Sequence, residues 1–489
     1  MVPPRAWLQA KEAAASWWPL AVVGVAFALR AGGLDFQSLW RDETDALFFA
    51  TRPLPRLLAT FAIPGRNGPL YFLLLGRWIA LAGKTEFALR FPSVLAGTVA
   101  LPLAWAVARR LGCPRAGAWA LPLLAFSPLL VWYAQDAKMY ATVLVAVLLG
   151  TWLFLKALEE RRPLLWAAYG LVVGASLYIH LLTLLAVPVH AAWFALEARA
   201  RGAPRAVWIG AAVLLAAALP VLAWGVPLVL SGYESGHAFY PLGAMARALL
   251  FAFVGGVGGM PGPWALVPSL FLALAGAALG LGDRATRGAT LRLLLWLVLP
   301  VLLLFLISLR VPLFTERYLI WTAPAWSLLM GMGLERVAAA TRSTASRGLA
   351  LACLAAVLAL DLAPLWTQSH VPLKSDFRSA AAYVAARWEP GDLVLFQMPH
   401  ARRTFQYYWK RPYRWAEGPY TNYGQPPEEV ARQMEDLTAG SGRVWLVLSE
   451  PEMWDRRGLT RRWLEEHGRP VARQAFARVE VVCYHLGGP

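Results

Sequence analysis

Three carboxylates lie close together directly after the first long apolar run of the chain: Asp42, Glu43 and Asp45. Ionised groups beside lipid are costly unless they face water, a partner or a substrate, so such groups mark a candidate functional site. A carboxylate held in this way could act as a general base that takes a proton from a reacting hydroxyl. Two simpler interpretations stay open, because the stretch could be a solvated acidic loop and Asp42 could cap a helix.

Cations and other polar side chains recur beside later apolar runs and could bind an anion. They are Arg90, Asp136, Lys138, Tyr140, Arg317 and Tyr318. Displacing a phosphate from a sugar carbon needs a base for the attacking hydroxyl, cations for the charge on the leaving group, and a pocket that excludes water. We expect the carboxylates and these residues to converge at one level on the outer face of a membrane.

Several of these side chains also have a structural interpretation. Glu43 could position an acceptor, or it could pair with Arg41 or Arg90. Asp136 and Lys138 could contact a phosphate, or they could form a local ion pair that fixes a turn. For Glu43, and for Asp136 with Lys138, the functional and the structural interpretation both stay open.

Residues nearer the end of the apolar region also have both a functional and a structural interpretation. Arg317 and Tyr318 could clamp a phosphate, or they could anchor a helix end at the membrane interface, where Arg and Tyr are common. His180 fits a tight turn between two apolar runs better than it fits a ligand position.

The composition indicates a polytopic membrane protein. The chain has 489 residues, of which 58% are hydrophobic and 15% charged, with 24 Trp and a mean hydropathy of +0.49. Long apolar runs recur up to about residue 366, which a soluble domain does not need. The formal charge of +17 comes largely from Arg between apolar runs, so it indicates topology rather than a nucleic-acid partner. The three cysteines have no metal-binding spacing.

Arginine clusters fix the expected orientation. They fall near residues 109–115, 161–162, 199–205, 284–292 and 336–347, and the positive-inside rule assigns them and the N-terminus to the cytoplasm. About eleven crossings satisfy this assignment. They are residues 17–34, 90–108, 117–133, 140–158, 164–179, 181–196, 206–230, 264–281, 293–309, 319–334 and 349–366. The apolar run 69–82 is too short for a core of about 30 Å, so we expect it to lie along the outer surface.

We therefore divide the chain into two domains. Residues 1–366 form an all-α transmembrane domain with an external first loop, residues 35–89. Residues 367–489 have ordinary soluble composition and form a small extracytoplasmic α/β domain. Its predicted elements are helices at 376–388 and 460–467 and strands at 393–397, 444–449 and 479–486. No nucleotide-binding or hydrolase motif occurs there, so a binding or lid role is expected.

Five short motifs, in this order, resemble a known family. They are Trp40-Arg41-Asp42-Glu43, Asn67-Gly68-Pro69-Leu70-Tyr71, Ala88-Leu89-Arg90-Phe91-Pro92-Ser93, the stretch from Ser127-Pro128 to Tyr133-Ala134-Gln135-Asp136-Ala137-Lys138-Met139-Tyr140, and Glu316-Arg317-Tyr318-Leu319. The chain resembles the bacterial branch of the dolichyl-phosphate-mannose protein mannosyltransferases, which are GT-C glycosyltransferases and include the aminoarabinose transferases of lipid A. The resemblance covers about residues 17–335 and not the tail.

The resemblance implies a GT-C fold, a polyprenyl-phosphate sugar donor, an external active site, inversion at the anomeric carbon and Asp42 as the general base. Two departures matter. This chain has Asn67-Gly68-Pro69 where the family often has His-Pro-Pro or Lys-Pro-Pro, so the phosphate contact is expected at Lys138 or Arg317. Lys138 also stands where the family commonly has Arg. A lysine supplies a point charge but cannot make the bidentate contact of an arginine.

The leading hypothesis is a glycosyltransferase of the bacterial inner membrane with its active site outside. Asp42 and Glu43 would be catalytic, and the acceptor would be a hydroxyl of a lipid, a glycan or a protein. No cofactor is required, although the clustered carboxylates could hold a divalent metal. The alternatives are a transporter or lipid flippase, and a polymerase or ligase that uses a diphosphate donor. Against a transporter, the sequence lacks an internal repeat and matching pairs of broken helices.

Overall fold

The chain folds into a large helical unit and a smaller mixed unit. The computed structural model describes residues 5–61, 63, 66, 68–230, 235–341 and 343–487. The helical unit comprises Met1–Leu34 and Ala50–Gln368, and the mixed unit comprises Asp35–Phe49 and Ser369–Pro489. The segment that carries Asp42 and Glu43 therefore packs with the C-terminal residues, although it lies near the start of the chain.

Sixteen α-helices precede the C-terminal region in the described part of the chain. They are α1 Arg5–Ala31, α2 Arg41–Ala50, α3 Leu54–Phe61, α4 Pro69–Ala82, α5 Glu86–Arg110, α6 Pro114–Phe126, α7 Pro128–Ala134, α8 Tyr140–Glu160, α9 Pro163–Leu177, α10 Ala186–Arg201, α11 Val207–Leu230, α12 Leu242–Gly255, α13 Leu266–Gly282, α14 Arg287–Ser308, α15 Ala323–Ala339 and α16 Thr344–His370. Short 3₁₀ helices cover Leu181–Leu185, Pro263–Ala265 and Glu316–Thr322.

All eleven apolar runs predicted to cross a membrane fall on these helices. Among the described residues, six helices are long and apolar enough to span a bilayer, and a seventh span results if the bent pair α6 and α7 is counted as one. Five shorter apolar helices accompany them, including α4. The predicted fold class, a polytopic helical membrane protein with a small C-terminal α/β region, is confirmed.

The break between α6 and α7 has a local cause. Pro128 has no N–H to donate and disfavours helical geometry at the residue before it, so the helix stops at Ser127 and restarts with a bend of 57°. The Ser127 hydroxyl then accepts a hydrogen bond from the Leu130 amide and caps the new helix. Because of this bend, α7 and the turn that follows it lie off the axis of α6.

Glycines allow the inner helices to approach closely. A Cβ at Gly276 of α13 would lie 2.0 Å from the carbonyl oxygen of Leu329 in α15, and one at Gly333 of α15 would lie 2.3 Å from that of Leu272. Small residues at such crossings are the usual way to gain packing between membrane helices, where the hydrophobic effect between helices is absent.

The mixed unit contains one sheet with helices on both faces. Its strands are β1 Leu393–Phe396, β2 Arg414–Glu417, β3 Arg443–Leu448, β4 Gly468–Phe476 and β5 Val479–Leu486, and its further helices are α17 Phe377–Ala385, α18 Pro399–Tyr408, α19 Pro427–Thr438 and α20 Leu459–His467. The strand order is β2-β1-β3-β5-β4, with β2, β1 and β3 parallel and β5 antiparallel to both neighbours.

Alternating residues of β3 supply both cores of the sheet. Trp445 packs with Phe377 and Phe405 of α17 and α18 on one face. Leu446 packs with Met434 of α19 and with α20 on the other face. A strand that is covered on both faces of the sheet has a nearly continuous apolar sequence, and this pattern predicts β1, β3 and β5.

Candidate active site

The turn between α7 and α8 carries Asp136 and Lys138 and is held from several sides. Asp136 is fully buried, and Lys138 is half-buried. The Gln135 side-chain amide donates to the carbonyl oxygens of Arg30 and Gly32, at 3.1 and 3.0 Å. The Lys138 carbonyl oxygen accepts a hydrogen bond from the Ser93 hydroxyl. These contacts fix the backbone of the turn, so the direction of the lysine side chain is constrained.

The local ion pair that the sequence left open for Lys138 is not observed. In the described part of the chain no carboxylate lies within ion-pair distance of its ammonium group. The Lys138 Nζ lies 5.9 Å from the centre of the Phe72 ring of α4 instead.

Three rings gather beside this turn and form what we call the aromatic cluster: Tyr140, His180 and Tyr318. The Tyr318 ring centre lies 4.8 Å from that of His180 and 6.4 Å from that of Tyr140, and the Tyr140 and His180 ring centres are also 6.4 Å apart. The Arg317 guanidinium carbon lies 5.4 Å from the centre of the Tyr140 ring. Residues from three separate parts of the sequence thus converge on one place.

The position of Arg317 depends on its neighbour Glu316. The Glu316 carboxylate accepts one hydrogen bond from the Tyr133 hydroxyl of α7 and another from Thr315, both at 3.1 Å. This contact ties the start of the 3₁₀ helix Glu316–Thr322 to α7. Arg317 and Tyr318 follow directly, so the same contact orients them.

His180 is a turn residue, and nearby positive charge affects its pKa. Its Nδ1 accepts a hydrogen bond from the Leu182 amide at the start of the 3₁₀ helix Leu181–Leu185. Burial, together with Arg317 and then Lys138, lowers the pKa of His180 to about 3. The imidazole is therefore neutral at pH 7, and both cations act on the same buried point.

The start of α4 packs directly against this region. The Leu70 amide donates to the carbonyl oxygen of Tyr178 at 3.0 Å. Gly68 has φ +92°, and a Cβ there would lie 2.8 Å from the Met139 side chain and 3.2 Å from the carbonyl oxygen of Ile179. Only glycine permits this approach. Asn67 of the same motif lies outside the described residues.

Arg90 occupies a structural position in the helical unit. Its side chain is 1% exposed, and its Nη1 donates to the carbonyl oxygen of Leu34 at 2.7 Å. This bond joins α5 to the end of the segment that follows α1. The predicted phosphate contact of Arg90 stays a proposal.

Asp42 and Glu43 lie in the first turn of α2, within the mixed unit. Asp42 is the second residue of this helix, and its side chain is 16% exposed. Glu43 is fully buried, and its Oε2 lies 3.1 Å from the Nζ of Lys374. The predicted partners of Glu43, Arg41 and Arg90, did not include this lysine, because a single lysine after the last apolar run has no pattern that marks it.

Further contacts fix α2 against α18. The Asp45 carboxylate pairs with Arg403 at 2.8 Å, and the Thr44 and Thr404 hydroxyls are 2.8 Å apart. Asp42 and Asp45 are both partly accessible, with side chains 16% and 21% exposed, and the Asp42 carboxylate lies 3.9 Å from the Nε of Arg41.

A metal centre is not evident in the described residues. No group of three or more His, Cys, Asp or Glu side chains there is arranged to hold an ion.

Comparisons with known proteins show which sequences and folds this chain resembles. Residues 66–224 match the model of the family described as dolichyl-phosphate-mannose-protein mannosyltransferase. This segment includes Arg90, Asp136, Lys138, Tyr140 and His180. Comparison with curated proteins gives no match.

Solved structures share the fold over nearly the whole chain. ArnT from Cupriavidus metallidurans in the apo state has a TM-score of 0.62 at 15% identity, and its structure bound to undecaprenyl phosphate has 0.59 at 16%; each comparison covers 96% of this chain and 98% of the other. The Archaeoglobus fulgidus oligosaccharyltransferase in complex with Zn and sulfate has 0.56 at 12%, covering 92% of this chain and 71% of the other.

The family model describes glycosyltransferases, and the fold agrees with it. A transporter is therefore not favoured. The chain is similar to the dolichyl-phosphate-mannose-protein mannosyltransferases over residues 66–224 and shares the fold of ArnT, and these similarities indicate glycosyltransferase activity, as its motifs predict.

Proposed function

We propose that the protein transfers a sugar from a polyprenyl-phosphate donor to an acceptor hydroxyl, with inversion, on the extracytoplasmic face of a bacterial inner membrane. The observation that carries this proposal is the aromatic cluster of Tyr140, Tyr318 and the buried His180, where the Arg317 guanidinium lies 5.4 Å from the Tyr140 ring and the turn with Lys138 directly precedes Tyr140. Two fixed cations and two phenols in a buried place suit a phosphate that must leave with additional negative charge.

The donor phosphate would be held by this group of residues. Lys138 and Arg317 would supply charge, with Arg317 able to contact two phosphate oxygens at once and Lys138 acting as a point charge. Tyr140 and Tyr318 would donate hydrogen bonds from their hydroxyls. The crystal structure of ArnT bound to undecaprenyl phosphate supports a lipid phosphate as the ligand class.

Asp136 and Arg90 would act less directly. Asp136 is buried in the turn that carries Lys138, so we assign it to orienting that turn. Arg90 is bonded to the carbonyl oxygen of Leu34, so its proposed part in phosphate binding would be to hold α5 in place.

Asp42 would be the general base. It would accept the proton of the acceptor hydroxyl while that oxygen attacks C1 of the sugar, and the bond between C1 and the phosphate oxygen would break with its electron pair on the phosphate. A single displacement of this kind inverts the anomeric centre. Glu43 would act as a positioning residue through Lys374. The acceptor hydroxyl would belong to a lipid, a glycan or a protein.

The experiment is a turnover assay with the full chain in nanodiscs. Undecaprenyl phosphate carrying a radiolabelled sugar is added with an extract of envelope lipids and glycans, and the lipid product is identified by chromatography. We expect release of undecaprenyl monophosphate. Use of a diphosphate donor, with release of undecaprenyl diphosphate, would support the polymerase or ligase instead. Movement of the intact donor between leaflets without hydrolysis or transfer would contradict the proposal.

A variant pair tests the phosphate site. Lys138→Met removes the proposed phosphate charge at similar length, and we expect donor KM to rise by about tenfold or more, since a charge-assisted hydrogen bond contributes about 1.5–3 kcal/mol. Lys156→Met is the matched control, because Lys156 is a half-buried lysine of α8 that pairs with Glu160. Equal KM values for both variants would remove Lys138 from the phosphate site. A chelator arm in the same assay tests whether a divalent metal contributes.

A further inference from the structure

The mixed unit contains a cavity of about 630 Å³ at the carboxyl edge of its sheet. The chain leaves β1 at Gln397 and β3 at Ser449, and both residues line the cavity together with Phe476 at the end of β4. From β1 the chain passes to β2 on one side, and from β3 it passes to β4 on the other side. The two loops therefore diverge, and such a crevice at the reversal of strand order is where α/β sheets bind ligands.

Gln397 lines this cavity and has an unsatisfied side-chain amide. Its side chain is 1% exposed, yet neither Nε2 nor Oε1 has a hydrogen-bond partner among the described residues. Leaving both ends of a buried carboxamide without partners is costly, and buried side-chain amides normally have at least one partner. The amide can donate to one ligand atom and accept from another.

The backbone beside this amide is strained. Glu450, the second residue after β3, has φ +51° and is not a glycine. Non-glycine residues in this region cost free energy and cluster at ligand sites. The Glu450 carboxylate lies 3.2 Å from the Arg41 guanidinium of α2, so one wall of the cavity contacts the helix that carries Asp42.

The charges around the cavity do not favour an anionic ligand. Three arginines and four carboxylates line it. Glu480 already pairs with both Arg461 and Arg473. The Asp455 carboxylate accepts hydrogen bonds from the amides of Leu459 and Thr460. A strongly charged ligand would have to break these pairs, whereas a neutral ligand with several hydroxyls would not.

We propose that this cavity binds the saccharide part of an acceptor. A neutral sugar offers adjacent hydroxyl donors and acceptors for the Gln397 amide, and its apolar C–H face can pack on the half-buried ring of Phe476. The identification of this saccharide as the acceptor rests on the function proposed above. Saccharide binding itself does not depend on that function, so the two can fail separately.

The test measures binding by saturation-transfer NMR on the full chain in nanodiscs, without sugar-based detergents. The probes are mannose, N-acetylglucosamine and its β1→4-linked disaccharide. We expect saturation transfer to at least one of the three saccharides at millimolar concentration. Transfer to none of them would overturn the proposal.

The decisive variant is Gln397→Met, which keeps the side-chain length and removes both polar atoms. We expect binding to weaken by about tenfold, while the melting temperature stays equal or rises because an unsatisfied buried amide is lost. Gln433→Met is the control, since Gln433 is an exposed glutamine of α19. Unchanged binding in Gln397→Met would overturn the proposal. Unchanged binding together with a lower melting temperature is the result expected for a purely structural amide.

Asp42→Asn separates this inference from the function proposed above. We expect this variant to bind the saccharide as the wild type does, because Asp42 is not among the residues that line the cavity. Loss of transfer with retained binding supports both proposals. Retained transfer with retained binding removes Asp42 from the base role and leaves the saccharide site intact.

Discussion

The Nζ of Lys374 lies 3.1 Å from the Oε2 of Glu43, and both side chains are almost completely buried, at 3% and 0% exposure. The Glu43 carboxylate is also 3.5 Å from the amide of Trp40, which precedes α2. A buried ion pair therefore sets the start of α2 against the chain just before α17. Asp42 is the neighbour of Glu43, so its direction depends on the same pair.

We predict that Lys374→Met is strongly destabilising because it leaves a buried carboxylate without its cation. The loss should be about 3–5 kcal/mol of unfolding free energy. The double variant Glu43→Gln with Lys374→Met should recover much of this loss, since no buried charge then remains. Thermal unfolding of the wild type, both single variants and the double variant measures the coupling. Additive effects would contradict a direct pair.

A second prediction concerns the base. Asp42→Asn should lower kcat by about 10²- to 10⁴-fold, the usual contribution of a general base, with donor KM and melting temperature nearly unchanged. Asp45→Asn is the matched control on the same helix, because its carboxylate is paired with Arg403 near the surface and contributes little. Comparable kcat values for the two variants would assign the proton transfer to another residue.

The helices were predictable from sequence because lipid imposes both their length and their hydropathy. The strongly apolar strands β1, β3 and β5 were predictable for a similar reason. The edge strands β2 and β4 were not predictable. Six of the nine residues of β4, between Arg469 and Ala475, are exposed, and neither strand shows a clear apolar alternation. Edge strands need no continuous apolar face.

The candidate site was predictable only in part. Motif order selected Lys138, Tyr140, Arg317 and Tyr318, which the structure brings into one region. The contribution of Lys374 was not predictable, because its contact with Glu43 joins distant parts of the sequence and no local periodicity reports such a contact. The same holds for the cavity at Gln397, which depends on strand order.

The two glycines that flank α4 give a third prediction. Both have positive φ, but they differ in ψ. Gly68, at φ +92° and ψ 29°, is in the left-handed helical region, where alanine should cost about 1–2 kcal/mol. Gly83, at φ +80° and ψ −167°, is in a region that is essentially restricted to glycine, where alanine should cost about 1–3 kcal/mol. A Cβ at Gly83 meets nothing within 4 Å, whereas one at Gly68 lies 2.8 Å from the terminal methyl group of Met139 and 3.2 Å from the carbonyl oxygen of Ile179. We therefore expect both variants to lose stability and only Gly68→Ala to impair transfer.

Thermal unfolding and turnover of the two alanine variants measure this difference. Gly83→Ala is the control for a strained backbone without a new contact, since it lies at the other end of the same helix. Gly68→Ala should raise donor KM, because the added methyl group crowds Met139, which follows Lys138, and the carbonyl oxygen of Ile179, which precedes His180. Equal KM for the two variants would show that these contacts do not affect donor binding.

The buried imidazole of His180 makes the stability of the folded protein depend on pH, and the direction of this dependence follows from its pKa. Its pKa falls from 6.5 in the unfolded chain to about 3 in the folded protein, so the folded state resists a proton that the unfolded state accepts. Stability is thus full above about pH 6.5 and declines as the pH falls towards 3. At pH 5 the loss from this one group should be about 2 kcal/mol relative to pH 7.

His180→Asn tests this dependence because asparagine can accept the hydrogen bond from the Leu182 amide and does not titrate. The melting temperature of the wild type should fall more steeply between pH 7 and pH 5 than that of the variant. The difference between the two curves isolates His180 from other titrating groups. Parallel curves would mean that the pKa of His180 is nearly the same in the folded and the unfolded protein, so that burial, Arg317 and Lys138 do not lower it.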